Sequence, residues 1–459
     1  MSLTKDHRVN RGQGGLLSVA RHSIAEAFHR NRSGQLADPD RIDYQVHPGV
    51  EFADLPVYAA MMKHREIADA MGVANPFYRS HEKRDGAVTW MNGREHINYA
   101  SYDYLGLSQH PAVLKASKEA IDQYGMSVSA SRIVAGERPV HGALEDAIAR
   151  FYGTEDAIIF VSGHATNVST IDALMSHGDL IIQDELIHNS AHVGARLSGA
   201  TCKSFAHNNM DALEAILKEH RAQHKLALIV VEGLYSMDGD FPDLPRLIEL
   251  KKRYGAWLMV DEAHALGVLG ATGRGIAEHF SVDFGDIDIW MGTMSKRLGT
   301  SGGYIAGNAD LIEILKFQAT PCVYSDGMTP AVTAGAQLAL KILVDEPERV
   351  QHLQQNSSLF LEEADKAGVD TGSATGYAVV PVIVGDSLKA VKLTENLMER
   401  GINALPIIYT AVPMKAARLR FFITSEHTEQ QIRDTIAITK EELEAISKLR
   451  YTVAAFFGR

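Results

Sequence analysis

Between residues 111 and 345, six short apolar runs recur, each separated from the next by a segment long enough for a helix. The runs are 157–161, 180–183, 226–231, 257–261, 287–291 and 304–306, and the helix-length patterns fall at 140–152, 165–177, 189–199, 209–223, 243–254 and 308–317. Most of the runs are apolar on both faces, which is the pattern of strands covered on both sides. Strands and helices that alternate in this way predict an α/β fold, with a mostly parallel sheet between helical layers. In such a sheet, ligands gather beyond the carboxyl ends of the strands. The chemistry of this chain is therefore sought in the residues that follow each run.

The rest of the chain divides around this block. Residues 1–75 read as an N-terminal extension and 76–110 as an N-terminal arm. Residues 111–345 form the large domain, and 346–459 a smaller C-terminal α+β domain. In the extension, Val19, Ile24, Ala27 and Phe28 fall on one face of a helix, and a second apolar-periodic segment spans 55–71. Packing on the protein itself is the simpler reading of the first helix, and an arm that docks a partner or a membrane surface is the alternative. In the arm, 88–99 reads as two strands about the Asn92-Gly93 turn. The C-terminal part reads as helix 348–367, strand 379–384, helix 387–400, strand 419–424 and helix 428–448.

Bulk properties exclude several classes. The chain has 459 residues, 46% hydrophobic and 22% charged, as globular proteins do. No run approaches the length of a transmembrane helix, and the N-terminus lacks the apolar stretch of a secretory signal. Cys202 and Cys322 are the only cysteines, which fits a reducing, cytoplasmic location. A net charge of −12 leaves no basic footprint for nucleic acid.

The strand ends carry the chemistry. After 157–161, the residues Ser162-Gly163-His164-Ala165-Thr166-Asn167 open a helix, and free amides at a helix N-terminus can hold a phosphate. After 180–183 come His188 and His192, four apart. A metal site is weighed and set aside, because the glutamate of the zinc pattern is absent and no third ligand is evident. A flat imidazole there can instead stack on an aromatic cofactor. After 226–231 comes the polar loop Glu232-Gly233-Leu234-Tyr235-Ser236-Met237-Asp238-Gly239. After 257–261 comes Asp261-Glu262-Ala263-His264, which spells a helicase box, but the chain has no phosphate loop to accompany it. An aspartate ending an apolar strand requires a cationic partner, and a protonated pyridine nitrogen is one. After 287–291 comes Thr293-Met294-Ser295-Lys296, which places a lysine on a turn between core strands, where desolvation makes it a usable base. Phosphate cradle, imidazole, carboxylate and lysine together match pyridoxal 5′-phosphate.

On these motifs, with Ser101-Tyr102-Asp103-Tyr104-Leu105-Gly106 and Leu419-Arg420, residues 76–448 resemble the α-oxoamine synthases among the fold-type I pyridoxal phosphate enzymes. That family includes 8-amino-7-oxononanoate synthase, 2-amino-3-ketobutyrate CoA ligase, 5-aminolevulinate synthase and serine palmitoyltransferase. The resemblance implies a seven-stranded, mostly parallel sheet and a homodimer. It implies that Lys296 carries the cofactor and removes the Cα proton, that Asp261 partners the ring nitrogen, and that His264 and Ser236 serve the ring hydroxyl. His188 would stack on the ring, and Gly163, His164 and Thr293 would hold the phosphate. Arg420 would hold the amino acid carboxylate, beside Tyr102. The implied reaction is decarboxylative condensation of glycine, alanine or serine with an acyl thioester, carried on CoA or on an acyl-carrier protein, to give an α-aminoketone. Other enzymes of the scaffold, an aminotransferase or a C–C lyase, and a non-catalytic interaction protein are the rival readings.

Two departures stand out. The family's Ser/Thr-rich segment before two prolines reads Tyr324-Ser325-Asp326-Gly327-Met328-Thr329-Pro330 here. Ser325 is the candidate to reach the partner subunit's phosphate, but Asp326 beside it would repel one. Tyr102 replaces an asparagine of the oxononanoate and ketobutyrate enzymes, and leans toward serine palmitoyltransferase and polyketide-linked members.

Overall fold

The structure, a computed structural model, describes residues 49, 51–70, 74–409, 411–413 and 415–448. Contacts divide the chain into two units, Met1–Gly72 and Val73–Arg459. In the first, the expected second helix is present as Pro56–Ala70, after a short 3-10 turn at Phe52–Asp54. Phe52, Val57 and Met61 on this segment are exposed. The helix expected around Val19–Phe28 lies outside the described residues.

Among the described residues, the second unit contains fourteen strands. In the arm they are β1 (Lys83–Asp85), β2 (Val88–Met91) and β3 (Arg94–Asn98). The large block contributes β4 (Asp156–Phe160), β5 (Leu180–Asp184), β6 (Thr201–Phe205), β7 (Ala227–Glu232), β8 (Trp257–Asp261), β9 (Ile289–Thr293) and β10 (Gly303–Gly307). The C-terminal part contributes β11 (Val379–Gly385), β12 (Ile402–Asn403), β13 (Leu405–Ile407) and β14 (Ala417–Phe422).

Strands β4 to β10 form one seven-stranded sheet in the order β4-β10-β9-β8-β7-β5-β6. Strand β10 pairs antiparallel with both β9 and β4, and every other pairing is parallel. Side chains alternate between two buried layers. Ile159, Ile182, Ile229, Val231, Leu258 and Val260 enter one core, while Ile158, Ile181, Leu228, Val230 and Met259 enter the other. Burial on both faces explains the unbroken apolar runs. The edge strand β6 escaped the sequence reading because Thr201, Cys202 and Ser204 are exposed and polar. The Gly307 end of β10 feeds helix Ala309–Gln318, close to its expected span.

The hairpin β2–β3 turns at Asn92 and Gly93, both with positive φ (52° and 69°), as a tight two-residue turn requires. The C-terminal part centres on the sheet β11-β14-β13, covered by helices Glu348–Lys366, Ser387–Glu399 and Glu429–Ser447. Strand β12, too short to read from sequence, pairs parallel with β3 and joins the arm to the C-terminal part. Among the described residues, no helix is long and apolar enough to cross a membrane.

Candidate active site

The carboxyl ends of β5, β7, β8 and β9 converge at one place. In the sheet register Glu232 lies beside Asp261, and Asp261 beside Met291. Backbone bonds lock the loops that follow. Gly233 N donates to Asp261 O (2.8 Å), and Glu262 N donates to Met291 O (2.7 Å). The turn bearing Asp261 and His264 is thus held to the strand on each side.

Asp261 is almost fully buried. Its Oδ1 accepts from Ala263 N (2.8 Å) and its Oδ2 from Asn167 Nδ2 (2.7 Å). Among the described residues, no side-chain cation lies within ion-pair distance of it. Asn167 also donates to Ser190 Oγ (2.9 Å), which lies 2.7 Å from His188 Nδ1. A polar chain therefore runs from Asp261 through Asn167 and Ser190 to His188. His188 caps helix Asn189–Ser198, and burial lowers its pKa, opposed by Asp261 and reinforced by Lys296. The imidazole is held neutral.

Lys296 keeps some exposed surface, but its amine is desolvated by the protein around it, and its pKa falls to about 8. Asp261 and Glu232 pull it up, while Arg297 and Arg420 push it down. The amine lies 5.8 Å from the centre of the Tyr102 ring. His264 is buried, and its Nδ1 is 2.7 Å from the Tyr104 hydroxyl. Burial first, then Lys296, Arg420 and Arg297, hold the imidazole neutral, and burial keeps the Tyr104 phenol protonated. With Tyr104 donating to Nδ1, the Nε2 proton of His264 is free to donate. Glu232 is buried with one carboxylate oxygen unpartnered, and burial beside Asp261 raises its pKa to about 8.

Ser236 is buried, and Arg420 Nη1 donates to its carbonyl (2.8 Å). The Arg420 guanidinium sits 5.0 Å from the Phe422 ring centre, and its Nε is buried without a partner. Two residues earlier on β14, Arg418 bonds Met237 O (3.3 Å) and pairs with Asp238. The loop after β7 is thereby fixed against β14.

Helix Gly163–Leu174 begins where the sequence predicted, capped by Ser162, whose Oγ accepts from Ala165 N (3.1 Å). The amides of Gly163 and His164 have no acceptor among the described residues. A Cβ on Gly163 would lie 2.8 Å from Thr293 Oγ1, so only glycine lets the helix start approach β9 this closely. Thr293 Oγ1 itself donates to Gly302 O (2.8 Å) and lies 2.8 Å from Ser295 Oγ. Free amides beside these hydroxyls form a cradle.

The structure thus gathers Lys296, Asp261, His264, His188, Ser236, Thr293, Gly163, His164, Arg420 and Tyr102 at one sheet end. Ser325 closes the short helix Thr320–Tyr324, and no hydrogen bond joins it to this group among the described residues. His192 pairs with Gln183 (2.9 Å), and no group of three metal-ligating side chains occurs among the described residues. Sequence reasoning did not single out Asn167, Ser190, Tyr104 or Glu232. Their signal was present: Asn167 lies one turn into a helix that starts at the cradle, and Glu232 ends a strand whose neighbour ends in Asp261.

A second polar cluster lies outside this group. His207 bridges Asp184 Oδ1 and Asp240 Oδ2, each at 2.9 Å, joining the end of β5 to the loop after β7. Burial opposes its charge, but the two aspartates prevail and raise its pKa to about 10. His207→Asn is expected to cost about 2 kcal/mol by leaving two carboxylates short of a donor. A raised histidine stabilises fully below its unfolded value of 6.5 and loses that contribution as pH rises through about 10. Urea unfolding across pH should therefore show the gap between wild type and variant closing toward pH 10.

The fit to a cofactor is tested on three observations. Asp261 is a buried carboxylate without a cation, the Gly163 and His164 amides are free beside Thr293, and the lysine amine is desolvated. Pyridoxal 5′-phosphate supplies a pyridinium nitrogen, a phosphate and an aldehyde, one for each. The comparisons agree. The family model for aminotransferase class I and II matches residues 94–438, and the chain belongs to that family. Within it the chain is an α-oxoamine synthase, a pyridoxal phosphate-dependent acyltransferase. The 8-amino-7-oxononanoate synthase of Geobacter sulfurreducens is 43% identical over 356 residues, covering 77% of this chain and 90% of the relative. That of Bacillus pumilus is 39% identical over 367 residues, covering 80% and 93%. Among solved structures, Sphingomonas wittichii serine palmitoyltransferase superposes with a TM-score of 0.83 at 31% identity, covering 87% of this chain and all of the other.

Proposed function

We propose that this enzyme condenses glycine, alanine or serine with an acyl thioester, CoA or a carrier protein bearing the acyl group, and that Lys296 is the base of the reaction. The observation that carries this reading is the Lys296 amine, which burial lowers to about 8 against the opposing pull of Asp261 and Glu232, beside the Tyr102 ring at 5.8 Å. When bound, pyridoxal phosphate supplies an electron sink for charge developing at the amino acid Cα.

The residues divide the work. Asp261, steadied by Asn167, would hold the cofactor's ring nitrogen protonated. His264 and Ser236 would serve the ring oxygen, His188 would cover the ring face, and the Gly163 and His164 amides with Thr293 would hold the phosphate. Arg420 grips the substrate carboxylate as a bidentate donor until it leaves as CO2. Lys296 takes the Cα proton, and Cα attacks the thioester carbonyl and expels the thiolate, which takes a proton from water. Once the carboxylate has left as CO2, the Cα takes a proton back from Lys296. Tyr102, exposed and stacked edge-on against Phe422 (4.7 Å), walls the space beside the lysine and restricts substrate size. A cytoplasmic homodimer in which Ser325 reaches the partner subunit's phosphate completes the reading.

The test is a screen of amino acids for exchange of the Cα proton into deuterated water, with and without thioesters. One of glycine, alanine or serine is expected to exchange fastest. Equal exchange by large and small amino acids would contradict the proposed pocket.

A further inference from the structure

Arg297 follows the lysine in sequence, and the chemistry above does not use it. It is nevertheless one of the largest fully buried side chains in the protein. Its Nη1 donates to the carbonyls of Glu262 (3.1 Å) and Ala263 (2.8 Å), the two residues between Asp261 and His264. Its Nη2 donates to the Tyr304 hydroxyl (3.1 Å), which lies 2.9 Å from the Tyr152 hydroxyl. Its Nε has no partner among the described residues. The turn is shaped to admit the side chain: Gly267 has φ +72°, and a Cβ there would lie 3.1 Å from Arg297 Cγ.

Among the described residues no acidic oxygen comes within ion-pair distance of Arg297. The acid of the neighbouring turn, Glu262, is held up to about 8 by burial, though Ile276 N donates to it and Arg297 pulls it down. At neutral pH it is largely uncharged. A buried guanidinium cannot shed its proton, so it remains charged. Burying such a charge with only carbonyl and hydroxyl partners is costly, and a neutral side chain would hold the turn more cheaply.

We propose that Arg297 is a positioning residue of the reaction: its guanidinium ties the turn carrying Asp261 and His264 to the loop carrying Lys296, and it places a permanent positive charge near the lysine amine. The inference rests on the assignment of Lys296 as the cofactor-bearing base. Burial is the largest influence on that amine. Asp261 from β8 and Glu232 from β7 favour its charged form; Arg297 and Arg420, the latter from β14, oppose it. His264 and His188 face it as neutral rings, and the Tyr102 ring lies 5.8 Å away. Of the two opposing cations, Arg420 is committed to substrate, so Arg297 acts in every state of the site.

The test separates charge from scaffolding. Arg297→Gln keeps an amide donor for the turn and removes the charge; Arg297→Lys keeps the charge and loses the fork. The full-length proteins are labelled with trace acetic anhydride across pH, before and after loading with pyridoxal phosphate. Peptide fragmentation reads the modification of Lys296. In the unloaded wild type the amine should titrate near 8. Arg297→Gln should raise that value by about one unit, a roughly tenfold loss of labelling near neutrality. Arg297→Lys should stay within a few tenths of the wild type. An unchanged titration in folded Arg297→Gln, or an equal shift in both variants, overturns the proposal. Should Arg297→Gln fail to fold, Arg297→Lys decides: a retained titration supports the role of charge, and a one-unit rise refutes it. Failure of the cofactor to protect Lys296 in the wild type would instead overturn the assignment of the lysine.

Discussion

Lys296→Ala is expected to lower turnover by at least about 10³-fold and to abolish covalent attachment of the cofactor. A positioned base contributes on the order of 10²–10⁴, and the same amine is the nucleophile that carries the cofactor. Alanine removes both roles and disturbs little else, because among the described residues none of the hydrogen bonds that shape the site uses the Lys296 amine. The neighbouring loop is held by Met294 N to Gly302 O (2.9 Å) and Gly299 N to Lys296 O (3.0 Å), both backbone bonds that survive the substitution. Borohydride reduction of the loaded wild type followed by peptide mapping should find the cofactor on Lys296, and the variant should carry none. Turnover within tenfold of the wild type would remove Lys296 from the mechanism.

Asp261→Asn is expected to slow Cα proton exchange by about 10²–10³-fold, the scale of losing one preorganised electrostatic partner. The negative charge is the point, since an asparagine fits the same space and keeps hydrogen-bonding atoms near Asn167 and Ala263 N. A second consequence has a definite sign. Asp261 favours the charged form of Lys296, so its removal should move the lysine amine below about 8. The variant should therefore pair a slower reaction with a lysine that titrates lower. Unchanged exchange would show that ring protonation is maintained by another group, and Glu232, beside Asp261 in the sheet, would be the one to test.

The strand ends were legible because burial on both faces wrote the large sheet as apolar runs, and each reactive residue stood just past one. Lys296, Asp261, His188 and the Gly163 turn were all located this way. The direction of β10 was not legible, since a strand reads the same both ways; the short stretch after Lys296 returns the chain antiparallel to β9. Polar edge strand β6 and the two-residue β12 carry too little apolar pattern to stand out. The supporting residues were hidden for a different reason. Tyr104 acts on His264 across 160 residues of sequence and Asn167 on Asp261 across 94, and only the folded chain brings such partners together. Arg297 was masked by its neighbour: a cation beside a lysine reads as surface charge, whereas here it is buried.

The central claim is that carboxylate loss and acyl transfer are one coupled reaction at Lys296. The direct measurement uses the preferred amino acid labelled at its carboxyl carbon, mixed with an acyl thioester and the purified enzyme, with labelled CO2 and free thiol counted together. The two should appear in equal amounts, both should require the thioester, and both should vanish in Lys296→Ala. Labelled CO2 released without thioester, or amino-group transfer to a keto acid in its place, would contradict the account.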